Sequence, residues 1–559
     1  MFSSTVAPMK IPALLRASFL ALFLLPRVFA ETPAEWSEKH LQEQVRPEMP
    51  GVAVLVARDG QILFQGGFGL ADVEKKTPIT TETKFRIGSV TKQFVASAIM
   101  KLAEEGKLAI SDPLAKYFPD LPNAKEITLK NLLTHTSGLK SYTERPNFFA
   151  GVTKPIEPAA LIASMQKDKP DFAPGTRYAY CNSGYFLLGQ IVAKVSGQSL
   201  ADYLRTTFFE PLGMKDTGIY VNANPPTGAA KGYSVAGGKA TPALDWDMSW
   251  AGGAGAIYST VGDLFRWTEA LHAGRVVTAE SLKAMTTPYP LPPEVDPSSY
   301  GFGLVISDFE GLPAIWHNGG LQGWSSNVVW LPGQKVVLVA LANALPPRPS
   351  LEPAVLTHQF AKHFLADEIA KLPKPVEDKS VDPKTFTVYA GSYDYLNAIM
   401  NVTLENDHLY AQLTGQEKYE IFPKAPDVFF WKVTPAQVQF LRNDKGDVVA
   451  ARHTQNGNSF RAPRLTDTKL TPEQLDAFVG KYYYGPAAVL NIRRDDRQLY
   501  AQLTGQPEAP IFPTADDSFE WHMVKASIHF VKGEDGKVTK LVHTQNGNTI
   551  DAPKLVPAQ

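Results

Sequence analysis

Cysteine is nearly absent from this sequence, in which Cys181 is the only one among 559 residues. No intrachain disulfide can form, and a zinc or iron–sulfur site built from cysteines is excluded. A His-Glu-x-x-His motif and an Asp-rich calcium loop are missing as well, so we expect no bound metal and no cofactor. The net charge is also small, with 55 basic against 56 acidic side chains and no basic run. We therefore expect no nucleic acid among the partners of this chain.

Long apolar runs are missing too, apart from one near the N-terminus. Lys10 and Arg16 precede an apolar run at 17–25, and Val28-Phe-Ala30 has the small-residue pattern of a signal-peptide cleavage site. The run is shorter than the ~20 residues that cross a bilayer, which argues against the alternative of an uncleaved membrane anchor. We expect a cleaved signal peptide at 1–30, no stable membrane span and a secreted or periplasmic protein.

The C-terminal third of the sequence is a tandem duplication. The octapeptide LYAQLTGQ at 409–416 recurs at 499–506, and HTQNGN at 453–458 recurs at 543–548 with the same offset. Apolar residues alternate with polar ones in each copy, and each Asn-Gly pair is a strong hairpin signal. About eight short strands fit each copy, which predicts two small antiparallel β-barrels. HTQNGN is interpreted as a hairpin apex, with a ligand-binding loop as the alternative.

A Pro-rich, charged segment at 371–379 separates the duplication from the rest of the chain. We predict the following division: a signal peptide at 1–30, a first unit at 31–365, a linker at 366–383, one barrel at 384–464, a second linker at 465–473 and another barrel at 474–559.

The first unit combines strands at its two ends with helices between them. A hairpin is predicted around Asp59-Gly60, and helices are predicted at 91–102 and 183–195. The two strands of this hairpin are expected at 52–56 and 62–64. Four more strands are expected at 301–306, 314–316, 327–331 and 336–341. This order predicts one antiparallel sheet built from both ends of the unit and carrying a helical insertion.

Ser89 and Lys92 have the spacing that brings two side chains to one face of a helix. Ser89 lies where the helix dipole favours a developing anion, and an unprotonated Lys92 could accept its proton. Ser164 and Lys167 share the spacing, but they do not open an amphipathic helix. The local sequence leaves two interpretations of Ser89 open, a nucleophile or a helix N-cap.

Two further short motifs carry polar groups suited to acyl chemistry. In Tyr180-Cys-Asn182 the phenol could relay a proton and the carboxamide could orient a substrate, whereas Cys181 is interpreted as a small buried thiol. In His317-Asn-Gly-Gly320 the glycines allow a close approach, and their N–H groups could stabilise an oxyanion. Each motif is weak alone, and a lone histidine such as His317 is more often structural.

The combination of motifs resembles a known superfamily. The stretches that carry the resemblance are FRIGSVTK at 85–92, LLTHTSGL at 132–139, PGTRYAYCNSGY at 174–185 and GGAG at 252–255. They are similar to the serine β-lactamases and penicillin-binding proteins, in the branch of class C β-lactamases, D-alanyl-D-alanine carboxypeptidases, D-aminopeptidases and related esterases.

The resemblance implies a role for each motif residue. It implies that Ser89 is the nucleophile, that Lys92 and Tyr180 accept and relay its proton, and that Asn182 holds the acyl-side amide. It further implies that the backbone N–H groups of Ser89 and Gly320 form an oxyanion hole, and that His317 and Gly319 line the substrate site. His135 and Ser137 belong to a stretch that the family uses structurally.

The resemblance also implies a multi-domain fold and a class of reaction. The expected fold is a β-lactamase-like α/β catalytic domain followed by two lipocalin-like antiparallel barrels, as in D-aminopeptidases, in which one barrel helps to shape the active-site mouth. His317 stands where penicillin-destroying relatives have lysine, and a mostly neutral imidazole is a weak carboxylate anchor. Efficient β-lactam hydrolysis is therefore disfavoured.

The leading hypothesis is a serine hydrolase that cleaves peptides or amides containing D-amino acids through an acyl-enzyme. Its partners are then small peptides, amides or esters, with cell-wall fragments as further candidates. An esterase is the first alternative. The second is a penicillin-binding or cell-wall-sensing protein that acylates without turnover.

Overall fold

The structure is a computed structural model, and it describes residues 32–555 except 293–294, 296–297, 346–348, 397, 456–457, 466–469, 486–487, 496, 525 and 546–547. The expected signal peptide and the two Asn-Gly turns lie outside the described residues. Within the described residues, no helix is both long enough and apolar enough to cross a membrane.

The α-helices are α1 Pro33–Gln44, α2 Thr91–Glu104, α3 Leu129–Leu133, α4 Pro158–Met165, α5 Asn182–Ser196, α6 Leu200–Leu204, α7 Val261–His272, α8 Ala279–Met285, α9 Pro353–Phe364, α10 Ala366–Ala370 and α11 Pro472–Asp476. The strands before the duplication are β1 Val52–Arg58, β2 Gln61–Phe68, β3 Leu70–Asp72, β4 Thr77–Pro78, β5 Phe85–Arg86, β6 Gly218–Ile219, β7 Tyr233–Ala236, β8 Lys239–Pro242, β9 Ile257–Ser259, β10 Val305–Phe309, β11 Leu312–Leu321, β12 Trp324–Leu331 and β13 Val336–Ala342.

The first unit is built on a six-stranded antiparallel sheet with the order β10-β11-β12-β13-β1-β2. Strands β1 and β13 are neighbours in the interior of the sheet and are buried along almost their whole length, because both faces of the sheet are covered. Leu55 and Val339 face the helical insertion, whereas Val54 and Leu338 pack in the cluster that includes residues of α1 and α9. The predicted sheet from both ends of the unit is confirmed.

Helix α2 runs through the middle of the insertion and is buried on most of its sides. Phe94 packs against Trp267, with ring centroids 4.0 Å apart, and the indole N–H donates to Oε1 of Gln93 over 2.8 Å. The helices predicted at 91–102 and 183–195 are confirmed as α2 and α5. Because α2 is buried on most of its sides, side chains on its first turn have fixed positions.

One predicted strand is displaced along the chain. The strand expected at 301–306 is β10, which begins only at Val305 and extends to Phe309. The backbone takes a left-handed conformation at Gly303, with φ of +71°, where a Cβ would lie 2.6 Å from the carbonyl oxygen of Lys92. This bend, tight against α2, prevents residues 301–304 from joining the sheet. The other strands predicted in the unit lie within β1, β2, β11, β12 and β13.

The duplication forms two eight-stranded antiparallel sheets, each of which pairs neighbouring strands in sequence order. Their strands are β14 Gly391–Asp394, β15 Ile399–Glu405, β16 His408–Leu413, β17 Tyr419–Ala425, β18 Val428–Trp431, β19 Ala436–Arg442, β20 Val448–Gln455 and β21 Asn458–Pro463 in barrel 1, and β22 Gly480–Gly485, β23 Ala488–Asp495, β24 Gln498–Leu503, β25 Ala509–Ala515, β26 Ser518–Trp521, β27 Ala526–Lys532, β28 Val538–Gln545 and β29 Asn548–Pro553 in barrel 2.

Each sheet curls until its first and last strands meet. Bridges between Tyr393 and Arg464 and between Tyr482 and Lys554 join these edges, so both barrels are nearly closed. Alternate side chains fill the interiors at the same repeat positions, as Phe440 does in barrel 1 and Phe530 does in barrel 2. The prediction of two small antiparallel barrels is confirmed, whereas the exact domain boundaries stay a prediction.

Candidate active site

Ser89 lies on a single 3-10 turn, Gly88–Val90, that leads directly into α2. The preceding strand β5 pairs with β9, and the N–H of Ile87 donates to the carbonyl of Ile257 over 3.0 Å. The N-cap of α2 is Val90, and no side chain caps this helix end. The hydroxyl of Ser89 is therefore not used as a helix cap, and the side chain stays partly exposed.

Lys92 lies one turn further along and is completely buried. Its Nζ atom is 2.9 Å from Oγ of Ser89, 2.9 Å from Oδ1 of Asn182 and 2.8 Å from the carbonyl oxygen of Ala254. Burial lowers the pKa of Lys92 well below its usual range, and a smaller electrostatic effect of Cys181 acts in the opposite direction. An uncharged amine has two N–H groups, which suit the two carbonyl oxygens, and one lone pair, which is then left for the Ser89 hydroxyl.

The side chains of Tyr180 and Asn182 also lie close to Nζ of Lys92, and both residues belong to the segment at the start of α5. Nζ of Lys92 lies 4.8 Å from the centre of the Tyr180 ring, and burial raises the pKa of this phenol while a hydrogen bond with Ser89 acts in the opposite direction. The Asn182 carboxamide accepts from Lys92 at Oδ1 and donates from Nδ2 to Oγ1 of Thr143 over 3.0 Å. Both the oxygen and the nitrogen of the carboxamide are therefore held by hydrogen bonds.

Cys181, between these two residues, is buried away from the serine. Its backbone N–H donates to Nδ1 of His135 over 3.0 Å, and its Sγ donates to the carbonyl of Leu139 over 3.2 Å. Burial raises the pKa of the thiol to about 11, so the sulfur stays uncharged and unreactive near neutral pH. His135 accordingly holds the backbone at the start of α5, in agreement with the structural role expected of its motif.

His317 is on β11 with its ring buried beneath the site. Nδ1 lies 2.5 Å from the carbonyl oxygen of Asn318, so Nδ1 carries the proton, and Nε2 accepts from the hydroxyl of Tyr300 over 2.8 Å. Burial, together with the nearby Lys92, lowers the pKa of His317 to about 3. Both ring nitrogens are therefore occupied, and the imidazole is uncharged.

The glycines after His317 bring β11 against the segment that carries Ser89. A Cβ on Gly88 would lie 2.9 Å from the backbone nitrogen of Gly320, and one on Gly319 would lie 2.0 Å from the carbonyl oxygen of Ile87. Gly319 is buried in this contact, whereas Gly320 is exposed. The structure therefore brings Gly320 close to the segment that carries Ser89 and gives Gly319 a packing contact.

A small cavity of about 30 Å³ opens above Ser89. Its lining residues are all uncharged, and all come from the first unit: Ser89, Tyr142, Thr143, Asn182, Trp246, Ala251, Ala254, Gly255, Gly320 and Leu321. Among the described residues, neither barrel contributes to this lining.

Several of these residues were missed by sequence reasoning. Thr143 and Tyr300 belong to no motif of the sequence. Ala254 lies in the GGAG stretch at 252–255, but the sequence assigned that stretch no role of its own. Ser164, the alternative serine, lies elsewhere and bonds to Arg145 at 2.9 Å.

An antiparallel sheet with a helical insertion, and a serine on the turn that leads into the central buried helix, define the class of serine β-lactamases and penicillin-binding proteins. The family model described as Beta-lactamase matches residues 38–361, and the chain belongs to that family. A model described as Domain of unknown function (DUF3471) matches residues 376–462 and 466–551, where the two barrels lie.

Three proteins of known name or structure are similar to this chain. Penicillin-binding protein 4* of Bacillus subtilis (strain 168) is 30% identical over 408 residues, which cover 69% of this chain and 89% of that protein. D-aminopeptidase of Gluconobacter oxydans (strain 621H) is 28% identical over 302 residues, which cover 53% of this chain and 56% of that protein. The crystal structure of D-amino acid amidase from Ochrobactrum anthropi SV3, complexed with L-phenylalanine amide, is 26% identical with a TM-score of 0.51, and the match covers 60% of this chain and 97% of the amidase.

Proposed function

We propose that this chain is a serine hydrolase that cleaves amides and peptides of D-amino acids through an acyl-enzyme on Ser89. The observation that carries the proposal is the 2.9 Å contact between Nζ of Lys92 and Oγ of Ser89, in buried surroundings that lower the pKa of the amine. The substrate class is supported by the D-aminopeptidase and D-amino acid amidase relatives.

In the first half of the reaction, the lone pair of Lys92 accepts the Ser89 proton while Oγ attacks the substrate carbonyl. The negative charge on the carbonyl oxygen is stabilised by the backbone N–H groups of Ser89 and Gly320. Because its pKa is raised, Tyr180 keeps its proton at neutral pH and gives it to the leaving amine as the carbon–nitrogen bond breaks. Tyr180 then regains a proton from the Lys92 ammonium.

In the second half, Lys92 is uncharged again and accepts a proton from water as that water attacks the ester carbonyl. The tetrahedral intermediate collapses with release of the acid, and Ser89 recovers its proton from Lys92. Asn182 orients the acyl group in both halves, since its carboxamide is fixed by Lys92 and Thr143.

Ester hydrolysis is the second candidate, because the lining of the cavity suits neutral acyl donors. No charged side chain lines the described cavity, and both nitrogens of His317 are already bonded. In such a site, a free α-amine or carboxylate of the substrate has no ion-pair partner. Neutral acyl donors therefore fit the site best. An ester and an amide share that property and differ in the leaving group.

The first test is intact-protein mass spectrometry after exposure to a fluorophosphonate probe. One adduct is expected on the unaltered protein and on Ser164→Ala, and none on Ser89→Ala. An adduct that persists on Ser89→Ala would overturn the assignment of the nucleophile.

The second test separates the candidate substrates. D-alanine p-nitroanilide, its L-enantiomer and p-nitrophenyl acetate are compared by kcat/KM. Turnover of the D-anilide well above the L-anilide supports the proposal, and turnover of the acetate alone supports the esterase. A stoichiometric burst without a steady state would indicate the non-turnover, penicillin-binding alternative.

We also propose that the chain is exported after removal of residues 1–30. The support is the basic and then apolar order of that segment and the small residues at its end. N-terminal sequencing of protein recovered from outside the cytoplasm should begin at Glu31, and an intact Met1 there would contradict cleavage.

A further inference from the structure

One end of barrel 1 encloses a cavity of about 640 Å³ that opens to solvent. Ligand pockets commonly have this size and occur in the mouths of β-barrels, where apolar and aromatic side chains surround a few polar groups. Trp431 and Met400 lie deep in this cavity, whereas Tyr419, Phe460 and Val433 lie at its opening and are 38%, 38% and 65% exposed. The cavity belongs to the domain of unknown function and is separate from the cavity above Ser89.

His453 stands among the aromatic rings of this cavity. Its ring centre lies 5.4 Å from that of Trp431, 5.6 Å from that of Tyr395 and 5.5 Å from that of Phe460. Nδ1 is hydrogen-bonded to the Tyr395 hydroxyl at 3.1 Å, and burial lowers the pKa of the imidazole. The cavity therefore combines aromatic faces with an uncharged ring that can exchange hydrogen bonds.

Charge at the cavity selects against anions. Glu417 is the only ionised side chain among the described lining residues, and its carboxylate accepts from the hydroxyl of Tyr419 over 3.0 Å. An anionic ligand would meet this negative charge without a basic partner in the lining. A neutral ligand avoids that cost.

Barrel 2 repeats the same trio of side chains. Tyr484, Trp521 and His543 are the corresponding residues of barrel 2. The ring centre of His543 lies 5.8 Å from that of Tyr484 and 5.4 Å from that of Trp521. The Tyr484 hydroxyl and both nitrogens of His543 are buried and have no hydrogen-bond partner among the described residues. Buried polar atoms left unpaired destabilise a fold, so a Tyr-Trp-His trio is a poor choice for a purely structural core.

We propose that the open end of barrel 1 binds a small, uncharged, mainly apolar molecule that contains a ring. The ring stacks on Trp431 and Phe460, and a polar group of the ligand hydrogen-bonds to His453. This site does not depend on the chemistry at Ser89.

The test is a fluorescence titration of the full-length protein with N-phenyl-1-naphthylamine, a neutral two-ring probe. Its sulfonate, 8-anilinonaphthalene-1-sulfonate, has the same ring skeleton with a negative charge. We expect saturable binding of the neutral probe, at least tenfold weaker binding of the sulfonate, and a rise in the melting temperature with the neutral probe.

Val433→Arg is the decisive variant, because this exposed side chain lines the opening and is not part of the barrel core. We expect it to weaken binding of the neutral probe at least tenfold. Val376→Arg, at a 79% exposed linker position outside the cavity, is the matched control and should bind as the unaltered protein does. The proposal is overturned if the neutral probe does not saturate, if the sulfonate binds equally well, or if Val433→Arg binds as tightly as Val376→Arg.

Discussion

The hydroxyl of Tyr300 donates a hydrogen bond to Nε2 of His317 across 2.8 Å, beneath the segment that carries Ser89. This bond, together with the contact from Nδ1 to the carbonyl of Asn318, leaves the imidazole no nitrogen with which to hold a substrate carboxylate. The Nδ1 bond instead joins His317 to the backbone of its own strand, β11.

Tyr300→Phe should lower stability, because it leaves Nε2 of His317 buried without a donor. The expected loss is about 1–3 kcal/mol in the free energy of unfolding of the catalytic domain, measured by denaturant titration. Tyr178→Phe is the matched control, since Tyr178 is nearby but 39% exposed. Equal stability of the two variants would show that the Tyr300 bond is not important for the fold.

Ser89→Ala and Lys92→Ala should each lower kcat/KM by ~10³-fold or more, because both residues serve one proton transfer. The double variant should be little worse than either single variant. Ser164→Ala, at the alternative serine, should keep full activity. If the losses of the two single variants multiplied in the double variant, Ser89 and Lys92 would be acting independently.

The pH dependence of kcat/KM should show one acid limb that belongs to Lys92. The uncharged amine is the reactive form, so activity is present above the lowered pKa of Lys92 and is lost as the pH falls through it. His317 has a pKa of about 3 and stays uncharged over the range in which histidines usually titrate. His317→Asn should therefore leave the position of the limb unchanged, and a shifted limb would assign it to His317.

Gly319→Ala should be damaging, whereas Gly320→Ala should be tolerated. A Cβ at Gly319 would lie 2.0 Å from the carbonyl oxygen of Ile87, and one at Gly320 would lie 3.7 Å from Cδ2 of Leu345, an ordinary contact. The first substitution must move β11 or the Ser89 segment, at a cost of about 1–3 kcal/mol or more together with lost activity. The second should change unfolding free energy by less than about 0.5 kcal/mol. Similar unfolding midpoints for the two would contradict the close contact.

The features that the sequence predicted well are those with a local or a repeated signal. The side chains of Ser89 and Lys92 meet because one helical turn separates them. The hairpin at Asp59-Gly60 can be predicted from the residues of its turn alone. The barrels were predictable because the duplication shows the same alternation of apolar residues twice. Each of these arguments uses residues that are near one another in the chain or related by the repeat.

The features that were not predicted depend on loops that meet only in three dimensions. The carbonyl of Ala254 accepts from Lys92, and Thr143 holds Asn182, yet neither residue type nor spacing distinguishes them from other loop residues. The start of β10 was misplaced for the same reason, because the bend at Gly303 is set by its contact with Lys92 on another element. The sequence-based role of His317 as a substrate contact likewise missed Tyr300 as its partner.

The pairing of β1 with β13 also determines when each part of the chain can fold. Val52 pairs with Ala342, so these two interior strands of the catalytic sheet cannot meet until nearly the whole first unit has been synthesised. Each barrel forms mainly from pairs of consecutive strands, so local contacts can build most of it before its first and last strands meet. The catalytic unit is therefore expected to fold slowly, with its apolar sheet strands open to aggregation or proteolysis in the meantime, and a chain that terminates before Val336 loses β13 altogether.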